Sequence, residues 1–177
     1  MGRHARALLG ACAGLLLLCG CAGKVHRVAL DPARLVAQPQ AKLICPYRVG
    51  QVVDARPAQG RAGGLSEHLF LIEDAAALVR GKLVATGLSG DADASGVQVD
   101  ARLLHLYMTQ NLTTKVPVVV LEVKIGQDAP LMLRAQKASM NWNGSEDEAY
   151  KGFSQSFDDV MAQLVGKLNA RCDSQSS

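Results

Sequence analysis

The chain has 177 residues, of which 49% are hydrophobic and 4% aromatic, and it carries 19 basic and 16 acidic side chains. A chain of this length forms one domain and can bury most of its apolar surface without help from a metal. The near balance of charge and the scarcity of aromatic rings argue against a nucleic-acid-binding surface, which needs a basic face and rings for stacking.

The first 20 residues have the layout of a secretory signal peptide. Arg3 and Arg6 make a positive start, and the apolar run from Leu8 to Leu18 is too short to cross a bilayer as a helix. The run ends in Leu18-Cys19-Gly20-Cys21, which resembles the lipobox of bacterial lipoproteins. We therefore predict that the signal is removed before Cys21 and that Cys21 carries the lipid.

The lipobox resemblance implies a diacylglycerol on the Cys21 sulfur and a further acyl chain, such as palmitate, on its freed amine. Two or three acyl chains anchor a protein stably, since each buried methylene contributes about 0.8 kcal/mol. The residue after the cysteine is Ala22, and in this position the chain resembles lipoproteins of the outer membrane. Loss of Arg3 and Arg6 leaves 17 basic against 16 acidic residues, a net charge of about +1. We expect the mature chain at the periplasmic face of the outer membrane.

Residues 21–40 are interpreted as the lipidated N-terminus and a tether, because Pro32 and Pro39 exclude a long helix. Part of this segment has a second interpretation. Val25 to Leu30 has the composition of a short edge strand that docks on the sheet. The sequence leaves both interpretations open.

Ala41 to Arg56 is predicted to be extended, and Pro46 interrupts it. This pattern is typical of an edge strand or a bulge, and an exposed sheet edge can accept a strand from a partner. The glycine-rich segment 57–64 is predicted to be a loop. It does not continue into the Gly-Lys-Ser/Thr of a phosphate-binding loop.

The middle of the chain predicts one helix and three strands. An apolar stripe at helical spacing runs from Ile72 to Leu83, and Gly87 is a natural stop. The sequence does not decide whether residues 66–71 extend this helix or form a strand. Three runs joined by turns then predict an antiparallel meander: Val97 to Met108, Val116 to Ile125 and Leu131 to Trp142.

The last helix is the clearest element of the mature chain. Ser145-Glu146-Asp147-Glu148 matches a capping box at its start. Apolar side chains then recur every three or four residues, which predicts a helix packed against the sheet: Tyr150, Phe153, Phe157, Val160, Leu164 and Leu168. Residues 173–177 are predicted to be a disordered tail.

Two cysteines, Cys45 and Cys172, are left after the signal departs and Cys21 takes the lipid. An even number of thiols in an oxidising compartment predicts a disulfide, with two unpaired thiols as the alternative. The bond requires Cα atoms within about 7 Å of each other. It therefore predicts that the end of the last helix packs beside the strand carrying Cys45.

The sequence contains no local catalytic or metal-binding motif. His26, His68 and His105 lie in separate segments without metal-ligand spacing, and no Gly-x-Ser-x-Gly elbow is present. Asp158 and Asp159 are adjacent on a helix and point about 100° apart, so they do not form a catalytic pair. The sequence thus predicts no enzyme activity, cofactor or metal. A hydrolase whose site is assembled from distant residues is the alternative.

The segment from Val52 to Pro57, Val-Val-Asp-Ala-Arg-Pro, places Asp54 and Arg56 on one face of a strand, because side chains alternate. Together with the lipobox, the meander and the final amphipathic helix, it resembles the YajG-like bacterial lipoproteins. The resemblance implies an architecture and a location but no activity. It marks Asp54 and Arg56 as a ligand-facing or structural pair. The other interpretation is a solvated ion pair contributing about 0–1 kcal/mol.

These observations predict an α+β domain over residues 41–172, with an antiparallel or mixed sheet of about four strands and two helices packed on one face. The expected function is a non-enzymatic binding or accessory module of the cell envelope. Its partners would be the membrane, through the lipid, and another envelope protein. An alternative is an auxiliary lipoprotein subunit of a lipid or toxin transport system, which should have a continuous apolar groove between sheet and helices.

Overall fold

A computed structural model of the chain describes residues 25–35, 42–65, 68–111, 114–135 and 145–175. The predicted signal peptide and the lipidation site at Cys21 lie outside the described residues, as do Pro39 and Trp142. The elements, in chain order, are β1 (His26–Ala29), a 3-10 turn (Pro32–Leu35), β2 (Tyr47–Asp54), β3 (Gly60–Leu65), β4 (His68–Ile72), α1 (Ala75–Ala85), β5 (Val97–Asn111), β6 (Thr114–Ile125), β7 (Leu131–Ala135) and α2 (Glu146–Gln175). Within this part of the chain, neither helix has an apolar stretch that could serve as a membrane span.

The seven strands form one mixed sheet in the order β1-β4-β3-β5-β6-β7, with β2 also paired to β5. The predicted meander is confirmed, because β5, β6 and β7 pair in antiparallel succession. The sheet is nevertheless larger than the four strands expected. The additional strands β1, β3 and β4 come from the predicted tether, the predicted glycine-rich loop and the undecided segment 66–71.

Strands β2 and β3 follow one another along the same edge of β5. Parallel pairing of β2 with β5 ends at Asp54 and Leu103, and β3 meets β5 again where Gly63 faces Met108. Gly63 has φ of +76°, and a Cβ there would lie 2.7 Å from the Met108 carbonyl oxygen. Only glycine accepts that backbone conformation and that contact together. Between the two pairings, residues 55–59 leave the sheet as a loop.

Both helices pack on one face of the sheet, as predicted. Helix α1 lies against β2 and β5, whereas α2 lies against β6 and β7. The space between helices and sheet is filled by large buried side chains, among them Phe70, Leu121, Phe153 and Phe157. The rings of Phe70 and Phe153 meet edge to face with their centroids 6.2 Å apart. The apolar stripe of α2 thus forms the predicted cover of the core.

The start of the domain differs from the predicted tether. Strand β1 pairs in parallel with β4, and the 3-10 turn that follows it buries Leu35. The Arg34 guanidinium lies 3.8 Å over the Tyr150 ring and pairs with Asp147, so α2 holds this turn. The docked-strand interpretation of Val25 to Leu30 is therefore the correct one. The tether prediction was wrong for residues 26–35, because β1 pairs with β4 and the side chains of Leu30 and Leu35 are buried in the core.

Two helix boundaries also differ from the sequence-based expectation. Ile72, the expected first residue of the apolar stripe, closes β4, and the Asp74 side chain caps α1 by accepting the Ala77 N–H at 2.9 Å. Gly87, with φ of +106°, follows the end of α1 as predicted. Helix α2 continues to Gln175, so the predicted tail from residue 173 begins too early.

The predicted disulfide is present. Cys45 and Cys172 are bonded, with their Cα atoms 6.0 Å apart and a sequence separation of 127. Neighbouring contacts hold the same two segments together. The Tyr47 hydroxyl donates to the Leu168 carbonyl at 2.7 Å, and the Asn169 side chain accepts the Ile44 N–H at 3.0 Å. The end of α2 is thereby fixed beside the start of β2.

Candidate functional site

A cavity of about 380 Å³ opens where the chain leaves the sheet between β2 and β3. Leu69 and Tyr107 line it, whereas the next residues, Phe70 and Met108, belong to the core. Because side chains alternate along a strand, the cavity lies on the face of the sheet opposite the helices. We call it the strand-break cavity; its lining residues are Arg56, Pro57, Ala58, Arg61, Gly63, Leu69, Leu104, His105, Leu106 and Tyr107.

An irregularity in β5 shapes one wall of the strand-break cavity. The pairing of β5 with β6 shifts register between Leu103 and His105, which is the level at which β2 departs on the other side. A bulge of this kind re-aims side chains and is common beside functional sites. Here Leu104 is half-buried, His105 is exposed, and the His105 ring lies edge-on to the Tyr107 ring at 6.1 Å.

The pair marked by the sequence, Asp54 and Arg56, holds the loop that borders this cavity. The Arg56 Nε and Nη2 donate to the two carboxylate oxygens of Asp54 at 2.8 and 2.7 Å. The same guanidinium donates to the carbonyl of Arg61 at 2.7 Å and to that of Ile72 at 3.1 Å. Four of its five N–H groups are therefore used within the protein.

Burial distinguishes this pair from a surface ion pair. The side chain of Arg56 is 3% exposed and that of Asp54 is 13% exposed. The interpretation as a solvated pair was therefore wrong. Burial raises the pKa of the Asp54 carboxyl, but the hydrogen bonds and charge of Arg56 outweigh it, so the pKa lies below its ordinary value. The pair acts as a buried clamp on the loop 55–59.

Arg61 is the second cation of the strand-break cavity, and its environment is different. Its side chain is exposed, and within the described part of the chain its guanidinium forms neither an ion pair nor a hydrogen bond. It also borders a smaller cavity of about 220 Å³, lined by Arg27, Gln59, Gly60, Leu69, Leu71 and Glu73 as well. Arg61 therefore has hydrogen-bond donors available for a ligand, whereas Arg56 has almost none.

Sequence reasoning weighed Arg61 only as part of a glycine-rich anion-binding loop, which it set aside, and did not single out Leu69 or Tyr107. Arg61 was placed in a flexible glycine-rich loop, and the other two belong to segments that show no motif. What the three residues share is a place on the same face of three neighbouring strands. The sequence does not reveal this, because it does not show that β3 pairs with both β4 and β5.

The three histidines among the described residues are divided between two places. The β1–β4 register brings His26 beside His68, with ring centroids 5.6 Å apart, whereas His105 borders the strand-break cavity. In the described ranges, no three histidine, cysteine, aspartate or glutamate side chains gather as a possible metal site.

The structure bears on two expectations about binding surfaces. The segment 41–56 was predicted to be an edge strand or a bulge, and β2 pairs with one strand, β5, with a register shift between Val49 and Val52. On its other side, the Val49 N–H donates to the Ser89 carbonyl at 2.8 Å and the Ser89 N–H donates to the Tyr47 carbonyl at 2.9 Å. The apolar groove that the alternative of a transport subunit predicted between sheet and helices is filled by core side chains, and the cavity lies on the opposite face.

No family model matches this chain, and no curated protein matches it. Among solved structures, the fold is similar to the crystal structure of a Xanthomonas campestris protein of the DUF330 family. The TM-score is 0.52 at 13% sequence identity, over 86% of this chain and 97% of that chain. A second structure, of a protein described only as uncharacterized, covers 82% of this chain and 99% of its own at a TM-score of 0.48 and 10% identity. The likeness to the DUF330 structure establishes a shared fold.

Proposed function

We propose that this chain is a YajG-like lipoprotein related to the DUF330 family, anchored by Cys21 at the periplasmic face of the outer membrane. Its role there is that of a non-enzymatic binding or accessory module for another component of the envelope. The lipobox-like Leu18–Cys21 supports the anchor, and the fold likeness over nearly the whole DUF330 chain supports the relationship. The binding role is carried by one observation: an apolar-lined cavity with an available cation on the sheet face away from the helices.

The lining of the strand-break cavity favours binding over hydrolysis. Nucleophilic hydrolysis needs a nucleophile, a base within hydrogen-bond reach and a group that orients the base. The described residues that line the cavity include one histidine and two arginines but no serine, cysteine, aspartate or glutamate. They offer a place to hold an apolar group and lack the serine, cysteine and carboxylate groups of the usual hydrolytic triads.

A second candidate function is supported by the apolar character of the same lining. An auxiliary lipoprotein subunit of a lipid or toxin transport system would need an apolar surface near the membrane. Leu69, Leu104 and Tyr107 supply such a surface, although on the open face of the sheet rather than beneath the helices.

The anchor and the binding site are tested separately. Cys21→Ser should abolish palmitate incorporation and leave an unprocessed precursor, because no acceptor sulfur is present. Unchanged palmitate labelling of the variant would exclude Cys21 as the anchor.

For the binding site, we suggest placing a photoreactive phenylalanine analogue at Tyr107 in intact cells. The matched control carries it at Met132, which is 58% exposed on β7. Capture of an envelope component from position 107 but not from 132 is expected. Identical products from both positions would show that the cavity is not the binding site.

A further inference from the structure

We propose that the strand-break cavity binds an anionic amphiphile, an aliphatic chain that ends in one carboxylate or phosphate group. This ligand class deepens the proposed binding function at the membrane and rests on it. Three features of the structure point to it: the charge at the mouth of the cavity, the chemistry of its walls and its position relative to the anchor.

The charge of the cavity is complementary to an anion. Arg56 is neutralised by Asp54, whereas Arg61 carries a charge with no ion-pair partner among the described residues. The described residues lining the cavity include no carboxylate; the Asp54 carboxylate is bonded to Arg56, and Glu73 lines the smaller cavity. An exposed guanidinium that faces an apolar recess is suited to a bidentate contact with a carboxylate or phosphate.

The walls are suited to an apolar body rather than a polar one. Pro57, Leu69, Leu104 and Tyr107 present mainly carbon, and the volume of about 380 Å³ lies in the usual range for small-molecule pockets, about 300–1,000 Å³. A sugar or a nucleotide would need several convergent donors and acceptors, which these side chains do not supply. An aliphatic chain needs none.

The position of the cavity favours a lipid source. Only four residues, Ala22 to Val25, separate Cys21 from the start of β1. At 3.3–3.6 Å per residue, His26 therefore lies within about 18 Å of a lipidated Cys21. Strand β1 pairs directly with β4, and Arg27 stands opposite Leu69, which lines the cavity. The docked β1 thus holds the cavity close to the bilayer.

The test uses the mature lipoprotein in phosphatidylcholine vesicles with a hexadecanoate that carries a diazirine at its chain end. The matched probe is the corresponding primary alcohol. Photolabelling by the carboxylate should map to the peptide containing residues 104–107. Arg61→Gln should lower labelling by the carboxylate about tenfold and leave labelling by the alcohol unchanged, since only the carboxylate uses the guanidinium.

Two further variants separate charge from shape. Ala58→Trp, an exposed loop position, should fill the cavity and lower labelling by both probes. Arg48→Gln removes a charge from β2 outside both cavities and should change neither. Thermal unfolding of each variant shows whether it is folded, and all three are expected to match the parent because these positions lie outside the core.

The proposal is overturned if Arg61→Gln and Ala58→Trp leave labelling unchanged, or if the alcohol and the carboxylate label the site equally. A diazirine-bearing phosphatidic acid, used in parallel, distinguishes a membrane lipid from a free fatty acid as the source. Palmitate incorporation at Cys21 and crosslinking from Tyr107 report on the proposed function. If lipid labelling fails while those two experiments succeed, the proposed ligand class is wrong and the proposed function is unaffected.

Discussion

The two faces of the sheet are built from the same strands but have different properties. On the helix-covered face, Phe70, Leu121 and Phe157 are fully buried and fill the space between the layers. On the open face, Leu69 and Tyr107 are half-buried and border a cavity. Alternation of side chains along each strand permits this division. The comparison shows that one face holds the core of the domain, whereas the other keeps partly exposed side chains around a cavity.

Two arginines five positions apart show the same division at a smaller scale. The Arg56 side chain is buried, and its N–H groups donate hydrogen bonds to Asp54 and to two carbonyls, which fixes the loop 55–59. Arg61 turns outward and keeps its donors. Two side chains of the same type therefore differ in role because Arg56 has hydrogen-bond partners within the protein and the Arg61 guanidinium has none among the described residues.

The largest expected effect separates the two faces directly. Phe157→Ala removes a fully buried ring and leaves a cavity between α2 and the sheet, which should lower the free energy of unfolding by about 3–5 kcal/mol. Tyr107→Ala, the matched aromatic change on the open face, should cost about 1 kcal/mol or less because its ring is already partly in water. Urea unfolding of both variants measures the difference. Equal losses would show that the open face also belongs to the core.

The disulfide should give the next largest effect. Replacing Cys45 and Cys172 together by serine releases the end of α2 from the start of β2. The expected loss is about 2–5 kcal/mol, because the unfolded chain regains the entropy of a long loop. Urea unfolding of the double variant measures it. If the double variant unfolds at the same urea concentration as the parent, the disulfide does not contribute to the stability of the helix-covered core.

Breaking the buried clamp should cost about 3 kcal/mol. Asp54→Asn leaves the Arg56 guanidinium buried without its counter-charge, and removal of one partner of a buried pair is strongly destabilising. The loss should also loosen the loop 55–59 and reduce probe binding in the strand-break cavity. Unfolding and probe labelling are measured on the same variant. A stable variant with altered labelling would make Asp54 a ligand contact rather than a clamp.

The pH dependence of the same pair has a defined sign. Because the pKa of Asp54 is lowered in the folded state, its contribution to stability is complete above its ordinary value of 3.8 and is lost as pH falls through the folded-state pKa. The parent should therefore lose stability in this acid range more steeply than Asp54→Asn. Parallel curves for the two proteins would contradict the assignment.

The smallest effect concerns a charge within the covered face. Lys82 is 2% exposed and its Nζ lies 3.4 Å from the Asp158 carboxylate. Burial lowers the pKa of Lys82, and Asp158 offsets this only in part. The unfolded state thus binds more protons between the folded-state pKa and the ordinary value of 10.5, so stability should rise with pH there.

Lys82→Met should change the free energy of unfolding by about 1 kcal/mol or less at neutral pH and remove this alkaline contribution. The change is small because the Asp158 side chain, 21% exposed, keeps contact with water once its partner is gone. Unfolding at neutral and alkaline pH measures both effects. A large loss at neutral pH would instead identify the ion pair as a main link between the helices.

The sequence by itself determined the elements whose signals are local. The three- and four-residue spacing of α2 and the β-branched composition of β6 lie within single segments, and the structure contains both elements. The disulfide followed from counting thiols, and lipidation of Cys21 remains a prediction. Each of these depends on neighbouring residues or on composition, which a sequence displays directly.

The tertiary structure decided the remaining strands and the site. Strand β3, Gly60–Leu65, is half glycine and has little strand propensity of its own, and it is extended because β4 and β5 pair with it. The buried Arg56 guanidinium donates hydrogen bonds to the carbonyls of Arg61 and Ile72, and the cavity exists because β2 and β3 share one edge of β5 with a loop between them. Pairing between distant strands sets these features, and its energy depends on neighbours that no single stretch of sequence contains.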